Sequence, residues 1–301
     1  MSKIGIVCHD AGGSEILSHW IADSSGHSFL HCLSGPAETI FKKNLGWSNS
    51  VSISQLADEC DWLLCGTSWK SELETSAIKK FKIRGKKTIA FLDHWVNYEE
   101  RFRHGNDQVL PDEIWVGDEY AKNIAVRCFS NIPVFLKNNP YFTKIEQDFA
   151  FDDNDLESKN VVLYVCEPIK EHALLQEGNE RHWGYTEEDA LEYFLDNISY
   201  IKKEIESVVI RPHPSERLDK YNWALDRTNL SITIGGQRTL AQEISTSSIV
   251  IGCESMAMVV GLLAGKKIIS SIPPGGRECQ LPHKEILALK DLVKRGNLVA
   301  L

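Results

Sequence analysis

This sequence predicts an α/β protein made of two Rossmann-like domains, and three observations carry that expectation. Short β-branched runs alternate with amphipathic segments along almost the whole chain, the pattern of a parallel sheet covered by helices. The length, 301 residues, suits two domains of about 150 residues, each able to bury its own core. Midway, the stretch 138–160 holds Asn139-Pro140 and an acidic run from Asp148 to Lys159 without apolar periodicity, which reads as a linker. The expected organisation is an N-terminal domain at 1–140, a linker at 141–159 and a C-terminal domain at 160–301. The carboxyl ends of the strands would then face each other across a ligand cleft.

The first strand is expected at 3–8, where Ile4, Ile6 and Val7 form an apolar run too short for a signal peptide. A helix at 14–22 follows it. Further strands are expected at 28–32, 62–65, 88–92, 113–116 and 133–136, with a helix at 70–81 among them. The second half repeats the alternation, with strands at 161–165, 208–211, 230–233, 249–251 and 267–270. Its helices are expected at 187–204, 239–244 and 254–264.

Hydrophobic residues make up 43% and charged residues 25%, enough apolar surface to offset chain entropy, so disordered, collagen-like and coiled-coil chains are excluded. The net charge of -9 argues against nucleic-acid partners and against a polybasic membrane surface. The eight cysteines include no CxxC pair, and Cys8, Cys65, Cys166 and Cys253 lie in or beside strand runs. They read as small core residues in a reducing cytoplasm rather than as zinc ligands or disulfides. No run reaches the ~20 apolar residues of a membrane span.

The residues able to do chemistry gather after strands. The first strand runs into His9-Asp10-Ala11-Gly12-Gly13-Ser14-Glu15. Paired glycines at a helix start let backbone N–H groups approach an anion or a sugar hydroxyl, with Ser14 or Gly13 as the N-cap. A tight capped turn would use the same residues, yet His9, Asp10 and Glu15 crowd three ionisable groups at one strand end. The spacing does not match GxGxxG, so no dinucleotide site is read here. After the strand at 88–92 come Asp93-His94-Trp95 and then Asn97 to His104, placed where a doubly wound sheet binds ligand. Acceptor recognition is one reading, and a solvated loop with Trp95 and Tyr98 tucked onto the core is the other. Trp115 reads as packing.

In the second half, the strand at 208–211 ends in Arg211-Pro212-His213-Pro214-Ser215. A histidine between two prolines has little backbone freedom, so its ring can be fixed toward a ligand at low entropic cost. Arg211 offers a phosphate fork, and Ser215 can cap a following helix. The strand at 249–251 leads into Gly252-Cys253-Glu254-Ser255-Met256. Glu254 can accept from both ribose hydroxyls, while Ser255 and the amides of the helix start at Met256 can hold a phosphate. The methionine side chains of this apolar, buried helix are for packing. Glu167, just past the strand at 161–165, faces the same cleft. Thr186 with Asp189 makes a helix N-terminus, and the rigid loop from Ile272 to Glu278 borders the cleft.

A strand ending in Arg-Pro-His-Pro followed by one ending in Gly-Cys-Glu-Ser, in the second of two Rossmann-like domains, resembles GT-B-fold glycosyltransferases. The closest likeness is to bacterial enzymes of the sialyltransferase, polysialyltransferase and Kdo-transferase groups. Those families hold the donor phosphate with a His-Pro motif and a later Ser-Ser or Ser-Thr motif. His213-Pro214 matches the first. At the second stands Glu254-Ser255, with Ser245-Thr246-Ser247-Ser248 just upstream. Glu254 resembles the ribose-binding glutamate of GT-B enzymes that use other nucleotides.

The resemblance implies transfer of a sugar from a nucleotide-sugar donor to a glycan or lipid-linked acceptor in surface-polysaccharide synthesis. A nonulosonic acid or Kdo-like sugar from a CMP donor fits it, as does peripheral association with a membrane-bound acceptor. With no DxD motif at a suitable strand end, neither metal nor cofactor is expected. Helix dipoles, His213 and Arg211 would offset the phosphate charge. The first domain would supply the acceptor site, with Gly12, Gly13, Ser14 and Asp93 as an acceptor or phosphate loop, and the base. That base is expected to be Asp10, with Glu15, His9 and His94 as rivals. A hydrolysing nucleotide-sugar epimerase and a noncatalytic nucleotide-sugar-binding subunit remain open beside this reading.

Overall fold

In the computed structural model, which describes residues 1–47, 49–151, 160–201 and 204–296, the apolar run of β1 (Lys3–Cys8) is buried on both faces. A run of that kind suits the middle of a parallel sheet, where helices cover both sides. The chain divides into two compact units, Met1–Thr143 and Lys144–Leu301.

In the first unit β1 pairs with β2 (Ser28–Leu33) on one side and β3 (Trp62–Cys65) on the other. Beyond β3 lie β4 (Thr88–Leu92), β7 (Glu113–Val116) and the edge strand β8 (Val134–Leu136), all parallel. A separate hairpin, β5 (Arg103–His104) with β6 (Asp107–Gln108), interrupts the loop between β4 and β7. The sheet order β2-β1-β3-β4-β7-β8 reverses direction between β1 and β3. The crossovers are α1 (Ala11–Asp23), α2 (Pro36–Leu45), α3 (Ile53–Glu59), α4 (Leu73–Ile83) and α5 (Glu119–Cys128). Pro36 opens α2 and left-handed Gly46 ends it, while Ser52 and Asp118 cap α3 and α5 through their side chains. Trp115 lies in the apolar core with Phe41 and Phe91, as its packing reading requires.

The stretch expected to be a linker begins as a helix, α6 (Pro140–Phe151). Asn139 Oδ1 accepts the N–H groups of Tyr141 and Phe142 at 3.1 and 3.3 Å. Asn-Pro is here an N-cap followed by a first helical residue, the other use of a dipeptide that also punctuates loops. The remainder of that expected linker, 152–159, lies outside the described residues.

The second unit is built from β9 (Val161–Val165), β10 (Ser207–Arg211), β11 (Ser231–Ile234), β12 (Ile249–Gly252), β13 (Lys267–Ser270) and β14 (Leu287–Ala288). Its order is β11-β10-β9-β12-β13-β14, all parallel, with the reversal between β9 and β12. The helices are α7 (Ile169–Glu177), α8 (Glu187–Asp196), α9 (Leu240–Ser245), α10 (Met256–Leu263) and α11 (Leu289–Arg295). Thr186 and Asp189 form the capping box of α8. α8 stops well short of residue 204: after Asn197 a single 3-10 turn, Ile198–Tyr200, carries Ile201 into the core. That core stacks Tyr164 on Phe194 at 5.2 Å between centroids.

Candidate functional site

Strand register brings two candidate residues of the first unit, Asp10 and Asp93, to one edge together with Ser68. Val7, Cys65 and Ala90 stand in a row across β1, β3 and β4. Asp10, Ser68 and Asp93 each come three residues after their member of that row. They therefore emerge together at the carboxyl edge, next to the reversal of strand order where such sheets bind ligands. Ser68 Oγ donates to Asp10 Oδ1 at 2.8 Å across the reversal, and His9 Nδ1 lies 2.7 Å from the same oxygen. The carboxylate is thus held from two sides while keeping 23% of its side chain exposed. The other edge of the His9 ring faces Gly35, where a Cβ would stand 2.7 Å from Nε2.

Beneath the His9-Asp10 turn lies Glu74 of α4, which accepts the His9 N–H at 2.7 Å and is 2% exposed. Its Oε2 is buried and has no hydrogen-bond partner among the described residues. Burial pushes the Glu74 carboxyl up to about 8. Folding therefore favours its protonated form, so stability is full below the ordinary glutamate range and is lost as pH rises toward 8. Raising the pH from 6 to 8 is expected to cost about 2 kcal/mol through this group. Urea unfolding of the protein and of Glu74→Gln at both pH values checks this. Equal pH dependence in the two proteins would sink it.

Asp93 is buried and accepts Arg101 Nη1 at 2.9 Å and Thr67 Oγ1 at 3.3 Å. Arg101 is clamped in turn by the Val96 and Asn97 backbone: its Nε donates to Val96 O and its N–H to Asn97 O, each at 3.1 Å. Asn97 adopts φ 57, a strained conformation for a residue with a side chain.

The glycine pair does not form the loop expected for it. α1 starts at Ala11, with Asp10 in the N-cap position, so Gly12, Gly13 and Ser14 lie inside the first turn. A Cβ on Gly12 would stand 2.2 Å from Asp93 Oδ2, and one on Gly13 would stand 3.3 Å from Gly66 Cα. The glycines serve close packing of a helix start against the ends of β3 and β4. Ser14 is buried and donates to Asp10 O at 2.7 Å, which rules it out as the N-cap. Glu15 accepts from Asn44 of α2 at 3.0 Å and lies 3.8 Å from His19 Nδ1. His94, beside Asp93 in sequence, accepts the Trp95 N–H at Nδ1 at 3.0 Å. Trp95 and Tyr98 are tucked onto the core.

In the second unit Arg211 on β10 pairs with Val165 on β9, and the Tyr164–Ile251 pairing sets Gly252 on β12 beside Val165. His213, Glu167 and Glu254 each follow that row by two residues. The Glu254 N–H donates to Glu167 Oε1 at 2.7 Å across the β9/β12 reversal. Gly252 permits this approach, since a Cβ there would lie 2.9 Å from Val165 O. Burial, and then the neighbouring Glu254 charge, push Glu167 up to about 8. Ser255 caps α10 by accepting the Ala257 N–H at 3.0 Å. Met256, the first residue of that helix, is only half-buried, whereas Met258 is wholly buried.

The His213 N–H is held by Glu216 Oε2 at 3.0 Å, and Nδ1 accepts the Ser215 N–H at 3.2 Å. In the neutral ring, an accepting Nδ1 leaves the proton on Nε2. Ser215 caps no helix: the residues after Pro214 form a turn, and only a 3-10 segment, Leu218–Ala224, follows. Its hydroxyl lies 2.7 Å from His213 Nδ1 instead. Arg211 Nη1 donates to Glu243 Oε2 at 2.6 Å and to Arg238 O at 3.0 Å, so much of its fork anchors α9 and its approach. Glu254 is engaged as well, by Arg277 and by the Gln280 N–H.

Thr67, Ser68, Glu74 and Glu216 escape a reading of the sequence. Thr67 and Ser68 had a signal, since they directly follow an apolar strand next to a reversal. Glu74 and Glu216 had none, because each looks like an ordinary charged residue until the fold buries it.

No family model matches the chain, nor does any curated protein. Among solved structures, UDP-GlcNAc 2-epimerase from Methanocaldococcus jannaschii superposes with a TM-score of 0.64 at 11% identity, covering 97% of this chain and 91% of that one. The glycotransferase of kitacinnamycin gives a TM-score of 0.50 at 10% identity, over 89% and 80% of the two chains. The fold is therefore of the GT-B kind, with two Rossmann-like units. At 10–11% identity these likenesses speak for the fold alone.

Proposed function

We propose that this chain is a metal-independent glycosyltransferase, whose second unit holds a nucleotide-sugar donor and whose first unit supplies the acceptor site and the base. The observation that carries the reading is the row of His213, Glu167 and Glu254, with capped α10 beside it. Neighbouring strands lie about 4.8 Å apart, so the ends of β10 and β12 are separated by on the order of 10 Å. Ribose and phosphate together span such a gap. His213 Nε2–H and the α10 N-terminus would meet the phosphate, and Glu254 the ribose. Asp10 would take the acceptor hydroxyl proton as the acceptor oxygen bonds to the anomeric carbon and the nucleotide leaves with the electrons of the broken C–O bond. The finer reading keeps a CMP donor of a nonulosonic or Kdo-like sugar and a surface-polysaccharide acceptor.

A second reading, a hydrolysing nucleotide-sugar epimerase, draws support from the likeness in fold to UDP-GlcNAc 2-epimerase over nearly the whole of both chains. Incubation with CMP-, UDP- and GDP-sugars separates the two. Transfer to an added glycan or slow donor hydrolysis supports the first reading, and release of an epimerised free sugar supports the second. Binding without turnover would leave a noncatalytic subunit. His213→Ala is expected to weaken nucleotide binding by roughly tenfold to a hundredfold, the range for a hydrogen bond to a charged group. Calorimetry showing unchanged affinity would remove His213 from the phosphate site.

A further inference from the structure

The carboxylate assigned above to the ribose already has a strong partner. Arg277 pairs with Glu254 Oε1, and the Gln280 N–H donates to Oε2 at 3.0 Å. The same guanidinium lies over the Trp183 ring, 3.7 Å from its centroid, so it also covers an aromatic face. The backbone around Arg277 is held independently of this pair. Its N–H donates to Trp183 O at 3.0 Å, and Gly276 N–H donates to Pro273 O at 3.0 Å. At Gly184 the chain takes φ +82, and a Cβ there would stand 2.3 Å from Gly275 O, so the two loops touch backbone to backbone. What is left to move is the guanidinium on its flexible stem. Its side chain is 30% exposed, and its Nε is buried without a hydrogen-bond partner among the described residues.

Resting on the donor-site reading, we propose that Arg277 is a phosphate-binding residue that changes partners when a nucleotide arrives. The phosphate would sit at the start of α10, two residues from Glu254, within the same group of strand ends. A guanidinium fits phosphate oxygens as a bidentate fork and is only loosely hydrated, so it can leave a carboxylate and an aromatic face for a phosphate. Its departure frees Glu254 for the ribose hydroxyls and uncovers the Trp183 face. Phosphate and ribose recognition are thereby coupled: a nucleoside must compete with Arg277 for Glu254, whereas a nucleotide removes the competitor itself.

The test is calorimetric binding of CMP, UDP and GDP and of cytidine, uridine and guanosine to the protein, to Arg277→Gln and to Arg277→Lys. In Arg277→Gln the preference for the bound nucleotide over its own nucleoside is expected to fall by about tenfold or more. Arg277→Lys, which keeps the charge but loses the fork, is expected to fall between the two. An unchanged preference in Arg277→Gln overturns the partner exchange while leaving the donor site standing. Should Arg277→Gln fail to fold, an unchanged preference in Arg277→Lys overturns it equally. If none of the three nucleotides binds the protein, the donor-site reading and this inference fall together.

Discussion

Asp10→Ala is expected to lower the rate of sugar transfer by roughly 10²- to 10⁴-fold, the contribution of a positioned general base, while leaving nucleotide affinity intact. The expectation rests on how the carboxylate is held. Ser68 and His9 both engage Oδ1, which leaves the other oxygen as the one an acceptor hydroxyl would meet. The substitution also separates chemistry from folding. Asp10 stands in the N-cap position of α1 but makes no side-chain capping bond, so alanine removes no cap. Single-turnover rates with saturating donor, set beside calorimetric nucleotide binding, decide the matter. Normal turnover in Asp10→Ala would remove this residue from the mechanism and turn attention to His94.

The largest stability effect is expected at Arg101. Arg101→Ala should destabilise the fold by about 3–5 kcal/mol, because it leaves Asp93 as a buried carboxylate without its cation. Asp93 and Arg101 are 8% and 5% exposed, and Arg101 also satisfies Thr67 Oγ1 and the Val96 carbonyl. Water has little access to replace those bonds, and Gly12 packs too closely for Asp93 to swing away. The paired change Arg101→Met with Asp93→Asn should recover a good part of the loss, since it removes the stranded charge while keeping volume. Urea unfolding of the single and double variants measures this. A loss below about 1 kcal/mol in Arg101→Ala would mean that Asp93 reaches solvent or other donors and that the pair is not structural.

Much of the fold could be read from the chain because parallel strands buried on both faces appear as continuous apolar runs. Thr88–Leu92 and Lys267–Ser270 are strands for that reason, with bounds that composition already marks. α6 was hidden because Asn139-Pro140 serves equally as a loop and as a cap with its first helical residue. Ser14 and Ser215 read as caps in the sequence because small polar residues after a strand suit a cap in any frame, and packing chooses the frame. Buried Ser14 shows this: Gly12 and Gly13 let the helix begin before it.

His213, Glu167 and Glu254 could be singled out because their strands end two residues before them, and a strand end is a local property. Sequence by itself therefore determined an α/β chain, the strands of two sheets apart from the two-residue β14, and which residues stand just past them. Their partners depended on which strands become neighbours. Ser68 meets Asp10 across 58 positions, and Glu254 meets Glu167 across 87. Those meetings exist because each sheet reverses its order between the two strands involved. Apolar periodicity marks a strand and its faces, but it carries no label for the neighbour beside it. Only the packed sheet brings such distant carboxylates, hydroxyls and amides to one edge, and so only the tertiary structure decided that Glu74 is buried and that Arg277 covers Glu254.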